Sequence, residues 1–472
     1  MTSGRLVLPA LRWRDDTGFA HEAALIADAI GFGAGGFILF GGTVDAVREL
    51  TERLRRDAGR PLLIAADLER GAGQQVRGLG ELPPPLALAS LDEPAVIRGA
   101  GLLTAAAAQA VGINWVLAPV ADLDIESDNP IVQTRAFGAD PVAVGDAVAS
   151  WIAGCEAGGA LACAKHFPGH GRTRHDSHDQ VPTVSATADQ LRDDLRPFRA
   201  AIAEGVSSIM TAHVAYPALD PTGTPATFSR PIIRLLRDEL GFHGLIVSDA
   251  LMMAGARAGR SPESAALDAV RAGVDLLLYP DQPGQVAAAL AEASQSDKEI
   301  AARVDESLVR YERALRMAEA NRIPDLEVHA GSAEALGDWL LSRPLVRGEV
   351  RGLALPVQLD VVDDDVGGRY PPSSPGDAVA EALALLGVPL GPGGSRVVIA
   401  LAEPRASKGR AGFGPASLER LAGLAPGADL VVLFGHPRLV ASIPEGPPVL
   451  LAWHRQALMQ RAAARWVMEH LV

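Results

Sequence analysis

The chain has 472 residues, 48% apolar and 21% charged, which supplies ample core and excludes a disordered protein. Its formal net charge of −14 repels phosphate backbones and anionic lipid, so neither nucleic acid nor a membrane surface is an expected partner. Aromatic residues make up only 4%, so the core is expected to be aliphatic and close-packed. Two cysteines, Cys155 and Cys163, are too few for a disulfide framework and read as small buried hydrophobes. The first residues lack a secretory apolar segment, and no run of about 18 or more apolar residues occurs. No membrane span and a cytoplasmic location are the expectations.

Short apolar runs recur along the first 280 residues, at 6–11, 36–40, 61–66, 114–120, 161–165, 208–212, 245–248 and 275–279. Helix-like segments lie between them at 20–30, 44–57, 94–111, 141–157, 187–203, 231–240 and 262–272. This alternation predicts parallel strands joined by crossover helices, and eight strand candidates point to a closed (β/α)8 TIM-type barrel. A long amphipathic helix is predicted over 296–322, with Ile300, Val304, Leu308, Tyr311 and Leu315 at helical spacing. It closes a catalytic barrel domain over residues 1–325. Residues 326–375, rich in Pro, Gly and Asp, read as a linker and irregular segment. Apolar runs at 397–401, 430–434 and 449–452 and a last helix from Ala457 predict a small α/β domain over 376–472.

The polar residues keep register with the strands. Asp67 and Glu69, Asp122, Lys165 and His166, His213 and Asp249 each follow a strand candidate. In a barrel these positions converge at the C-terminal mouth, where the βα loops build the site. The densest cluster runs Lys165-His166-Phe167-Pro168-Gly169-His170-Gly171-Arg172-Thr173-Arg174-His175-Asp176-Ser177-His178. Asp176 can hydrogen-bond one ring nitrogen of His178, fixing the tautomer and raising the basicity of the other nitrogen. The plainer alternative is a solvated polar loop. Asp249 ends the apolar run Leu245-Ile246-Val247-Ser248. A carboxylate there can attack an anomeric carbon; a helix N-cap is the plainer role. Asp67, Arg135, Lys165 and His166 supply the mixed donors and acceptors that sugar hydroxyls need, although Arg135 alone also reads as a structural ion pair. Asp122 and Asp124 read as loop anchors. Zn²⁺ ligation by His166, His170, His175, His178 and Asp249 ranks lower, because the spacing matches no compact ligand motif and Lys165 would repel a cation. No cofactor or metal is expected.

These segments resemble glycoside hydrolase family 3, in its β-N-acetylhexosaminidase branch. The likeness rests on Lys165 to Gly171 followed by Asp176-Ser177-His178. Matches at Gly36 to Phe40, Ala118 to Asp122, Arg135 to Gly138, Met210 to His213 and Ser248 to Leu251 support it. It implies Asp249 as nucleophile, His178 as acid–base residue and Asp176 as its partner. It further implies Asp67, Arg135, Lys165 and His166 as binders of terminal N-acetylglucosamine, and His213 is placed with them. The implied reaction is release of terminal β-linked N-acetylglucosamine with retention, from a small saccharide or muropeptide-like substrate in cell-wall fragment recycling. The chain departs from the family pattern where Gln75 stands in place of a substrate-binding arginine, with Arg77 two positions on. A β-glucosidase or glycoside phosphorylase on the same fold, and a non-catalytic sugar-binding barrel, are the alternatives.

Overall fold

A computed structural model describes residues 3–177, 179–257, 259–321, 331–343, 346–350, 352–366, 372, 374–405 and 408–472. They divide into two compact units. The first holds residues 1–80, 93–126 and 136–328, and the second holds 81–92, 127–135 and 329–472.

The first unit is a (β/α)8 barrel. Its strands are β1 (Val7–Leu8, continued after Pro9 by Ala10–Arg12), β2 (Gly36–Phe40), β3 (Leu63–Ala66) and β4 (Trp115–Val116). They are followed by β5 (Leu161–Phe167), β6 (Ser208–Thr211), β7 (Leu245–Ser248) and β8 (Leu277–Leu278). Each pairs in parallel with the next from β1 to β7. A parallel bridge from Val247 to Leu276 joins β7 to β8, and Val7 pairs with Leu277, which closes the ring. The strands are buried on both faces, hence their near-continuous apolar runs. All eight expected strands are present, although several are shorter than their apolar runs.

The helices are α1 (Ala23–Phe32), α2 (Val44–Ala58), α3 (Pro94–Gln109), α4 (Pro141–Ala157), α5 (Arg196–Glu204) and α6 (Arg230–Arg234, extended by a π turn over Leu235–Glu239). After them come α7 (Pro262–Ala272), α8 (Pro283–Ser296) and α9 (Lys298–Ala320). The sequence reading missed α8, because its Ala-rich face carries little periodic contrast. Asp297 caps α9 by accepting from the Glu299 and Ile300 amides and so separates the two helices. The scarcity of aromatic residues is explained by close helix packing. A Cβ on Gly101 would strike the Trp151 carbonyl, and one on Gly154 the Arg98 carbonyl, so α3 and α4 approach backbone to backbone. Cys155 and Cys163 are free and buried. No helix among the described residues is long and apolar enough to cross a membrane.

The second unit is a sheet of four parallel strands in the order β9 (Gln358–Asp363), β10 (Arg396–Ala402), β11 (Leu430–Gly435) and β12 (Val449–Leu451). Val398, Ala400, Val431, Leu433 and Val449 centre its core. Its helices are α10 (Gly331–Leu341), α11 (Ala378–Leu385), α12 (Pro415–Leu424) and α13 (Ala457–Glu469). The segment read as a linker therefore contains α10 and β9. Strand β9 escaped notice because most of it is only half-buried and its end runs into three aspartates. Those aspartates are paired: Arg455 binds Asp363 and Asp365, and Lys408 binds Asp364 and Asp365.

At the amino end of β8, Asp275 is fully buried and holds three arginines. Arg237 from the π turn and Arg303 and Arg310 from α9 all pair with it, while Ser307 Oγ and the Ile246 amide donate to it at 2.8 and 2.9 Å. Burial, against the pull of Asp275 and with the push of Arg310 and Arg303, lowers the Arg237 guanidinium to about 10. Removing the only buried acid among three cations is costly. Asp275→Ala is expected to lose about 3–5 kcal/mol in urea unfolding. A loss below about 1 kcal/mol contradicts this role.

Candidate active site

The carboxyl end of the barrel is organised by Asp122, which follows β4 and has no exposed surface. Its Oδ1 accepts from the backbone amides of His166 and His170 at 3.1 and 2.6 Å. Its Oδ2 takes the His166 Nδ1 proton at 2.8 Å. Burial alone would raise this carboxyl; His166 and His170 outweigh it and hold the acid below its usual value. With Nδ1 so engaged, Nε2 of His166 has no hydrogen bond among the described residues.

Lys165 precedes His166 in β5 and is 1% exposed. Its ammonium sits between Asp67 Oδ1 and Glu69 Oε1, each at 2.7 Å. The Asp67 side chain retains 29% of its surface, so this carboxylate faces the open mouth while Glu69 is buried beneath it. Asp249 follows β7 and is half-buried. Its amide bonds the Thr211 carbonyl at 3.3 Å, and its Oδ1 accepts from the Ala250 amide at 2.7 Å. Burial pushes the Cys163 thiol up to about 12, and the charges of Lys165, Asp67 and Asp249 all act on it. Asp67, Lys165 and Asp249 all lie at the carboxyl ends of parallel strands and so share one end of the barrel.

The glycine- and histidine-rich loop is braced internally. His170 is buried, which lowers its imidazole to about 4 and keeps the ring neutral. Thr173 Oγ1 lies 2.7 Å from its Nδ1 and Ser177 Oγ lies 3.0 Å from its Nε2. His170 thereby fixes the residue that stands between Asp176 and His178. Asp176 is buried, and its carbonyl accepts from the Asp179 and Gln180 amides, so the chain turns at this point. His178 itself lies outside the described residues. The Asp249 loop meets this turn: the Gly255 amide donates to the Ser177 carbonyl at 3.1 Å. A Cβ on Gly255 would lie 2.8 Å from that carbonyl oxygen and 3.1 Å from His213 Cβ, so glycine is required for the approach.

His213 is fully buried, with Nδ1 2.9 Å from Thr227 Oγ1 and Nε2 3.2 Å from the Ala250 carbonyl. Its ring is spent on holding the chain beside Asp249. Arg135 belongs to the second unit, where its guanidinium donates to the Ile131 carbonyl at 3.0 Å. Asp122 is a loop anchor, as its place after an apolar run suggested, and Asp124 bonds the Gly138 carbonyl through its amide. The braces formed by His170 and Ser177 were not assigned from the sequence, although both lie inside the motif that drew attention. Among the described residues no cluster of three or more His, Cys, Asp or Glu side chains is arranged to hold a metal ion.

The profile of the glycosyl hydrolase family 3 N-terminal domain matches residues 21–314. A β-hexosaminidase of Idiomarina loihiensis is 38% identical over 285 residues, covering 58% of this chain and 85% of that protein. A solved β-N-acetylhexosaminidase from Beutenbergia cavernae is 31% identical, with a TM-score of 0.60 over 66% of this chain and 97% of that one. A family 3 β-N-acetylglucosaminidase from a Paenibacillus species has a TM-score of 0.82 over 100% of this chain and 96% of that one; at 24% identity it speaks to the fold alone.

Asp194 gives this loop a pH signature. It pairs with Arg172 Nε at 2.7 Å, its Oδ1 is buried without a partner among the described residues, and burial pushes its carboxyl up to about 6 against the pull of Arg172. A carboxyl raised above its ordinary value of 3.8 binds its proton more tightly folded than unfolded. Its contribution therefore makes stability fall as pH rises from about 4 to about 6, then level off. Asp194→Asn is expected to match the wild type in urea unfolding near pH 4. It should exceed the wild type by up to about 3 kcal/mol near pH 7.5. Equal curves at both pH values contradict this.

Proposed function

The chain belongs to glycosyl hydrolase family 3, and from that premise we propose that it is a retaining exo-glycosidase releasing terminal β-linked N-acetylglucosamine. The observation that carries the reading is the hydrogen bond from Gly255 to Ser177, which ties the loop bearing Asp249 to the Asp176-Ser177 segment that precedes His178 in the sequence. The name carried by the Idiomarina relative, a β-hexosaminidase, supports a hexosamine as the sugar released.

In this reading the Asp249 carboxylate attacks the anomeric carbon while the His178 imidazolium gives its proton to the departing glycosidic oxygen. The products of this half are a glycosyl ester on Asp249, a free aglycone alcohol and neutral His178. The same imidazole then takes a proton from water, whose oxygen displaces Asp249, so two inversions give net retention. Histidine suits both halves, because its ordinary pKa lies near neutrality. Asp176 stabilises the imidazolium and sets its tautomer. Asp67 accepts from sugar hydroxyls, and Lys165 and His166 Nε2 complete the binding set. His213 acts one step back, through the Ala250 carbonyl. Arg135 is proposed as a further binder of the sugar. Cytoplasmic breakdown of cell-wall saccharides, including muropeptide-like ones, is the proposed setting.

Asp249→Ala is expected to abolish turnover. His178→Ala is expected to cost about 10²–10⁴-fold on substrates with poor leaving groups and little on activated aryl glycosides. Equal losses on both remove His178 from the acid role. The substrate is tested with aryl β-N-acetylglucosaminide and aryl β-glucoside, each with and without inorganic phosphate. Preferential hydrolysis of the acetamido sugar, with the β-anomer formed first and no effect of phosphate, is expected. Faster turnover of the glucoside overturns the assigned sugar, and a phosphate requirement overturns water as acceptor.

A further inference from the structure

The mouth has a sector that the proposed mechanism leaves unused. Going round the ring from β7 to β3, the chain passes β8, β1 and β2. Their carboxyl ends carry Tyr279, Arg12 and Phe40, all half-buried. Arg12 Nε donates to Tyr279 Oη at 2.9 Å. The guanidinium carbon lies 4.3 Å from the centre of the Phe40 ring and 5.2 Å from that of Tyr279, so aromatic rings bracket it. Its two Nη groups have no partner among the described residues.

Two features indicate that this arrangement is held in place. Tyr279 has φ +45°, a left-handed conformation that a bulky side chain adopts only when its surroundings impose it. Its amide bonds the Leu8 carbonyl, and its carbonyl accepts from Met252 in the Asp249 loop at 3.1 Å. The tyrosine thus stands between the strand that carries Arg12 and the loop that carries the nucleophile. The neighbouring polar groups are already committed. Gln75 Oε1 accepts from the Gly41 amide at 3.0 Å, and Arg77 pairs with Asp15. Arg12 is the half-buried guanidinium at these three strand ends, and its two Nη groups have donors to spare among the described residues.

The ligand class follows from charge. Asp67, Glu69, Asp122, Asp176 and Asp249 outnumber Lys165, Arg12 and Arg70 at this end, so an anion gains little here. Neutral oxygen acceptors suit the two open Nη groups. On the reading that Asp249 meets the anomeric carbon and Asp67 the far hydroxyls, the two ends of the bound sugar flank the β8–β1–β2 sector, just as they flank the opposite side that carries Lys165 and His166. We propose that Arg12 is a specificity-determining residue, its Nη groups donating to ring hydroxyls of the bound sugar while Tyr279 and Phe40 fix the guanidinium plane. This inference rests on the glycosidase reading.

The test compares the full-length wild type, Arg12→Met and Tyr279→Phe on the aryl glycoside that the wild type turns over fastest. Each is also assayed on its 3-, 4- and 6-deoxy analogues. Arg12→Met is expected to lose about 10- to 100-fold in kcat/KM, mostly through KM, on the parent sugar. The loss should shrink to about twofold on the analogue lacking the hydroxyl that Arg12 reads. Tyr279→Phe, which keeps the ring and removes only the hydroxyl, should show the same analogue pattern at smaller size. With wild-type turnover intact, unchanged kcat/KM in both variants overturns the role of Arg12 alone, as does an equal loss on every analogue. Absence of wild-type turnover of any aryl glycoside, together with no binding of the free monosaccharide, overturns the parent reading and this inference with it.

Discussion

One buried carboxylate sets the geometry on which the rest of the mouth depends. Asp122 has no contact with solvent, and both its oxygens are filled by protein donors from the β5 loop. A charged group in such a place persists only because its hydrogen bonds replace the water it has lost. The order then passes outward. Asp122 holds the His170 amide, the His170 ring holds Ser177, and the Ser177 carbonyl receives the Gly255 amide. Asp249 thus connects to a buried acid on a distant strand through neutral hydrogen bonds. Neutral links suit this path, since burial keeps His170 uncharged near neutral pH, and a second cation beside the site would lower the pKa of an imidazolium and leave less of it protonated.

The two ends of the barrel solve opposite charge problems. At the amino end one acid, Asp275, gathers three arginines. At the carboxyl end one cation, Lys165, gathers two acids. The first cluster is closed off by helix α9, and its charges serve the fold. In the second cluster one partner, Asp67, keeps part of its surface open, as its proposed binding role requires.

Much of the barrel was legible because parallel strands covered on both faces must be apolar throughout, and their polar residues must come at the ends. That rule places Asp67, Asp122, Lys165 and Asp249 at one end of the barrel from the sequence alone. It failed where its premise failed. Strand β9 is half-buried at one margin of its sheet, so it carries no clean apolar run. Helix α8 is apolar with weak periodicity and was lost beside the longer α9. Register alone also could not tell a ligand binder from a brace: His213 stands at the end of β6 as required, yet both its nitrogens face protein. Arg135 lies in a short stretch that folds with the second unit, and no local pattern announces such an exchange. Arg12 was missed for a simpler reason. A lone arginine after an apolar run has no motif, and its aromatic bracket is assembled from three strands.

The account stands on Asp249 forming a bond to sugar. Incubation of the whole chain with a fluorinated aryl glycoside slows the second displacement and accumulates the intermediate. Peptide mass spectrometry then locates the adduct. The account predicts one sugar on the peptide containing Asp249, absent from Asp249→Ala. A stable adduct on another side chain, or rapid turnover to an inverted product with none, contradicts it.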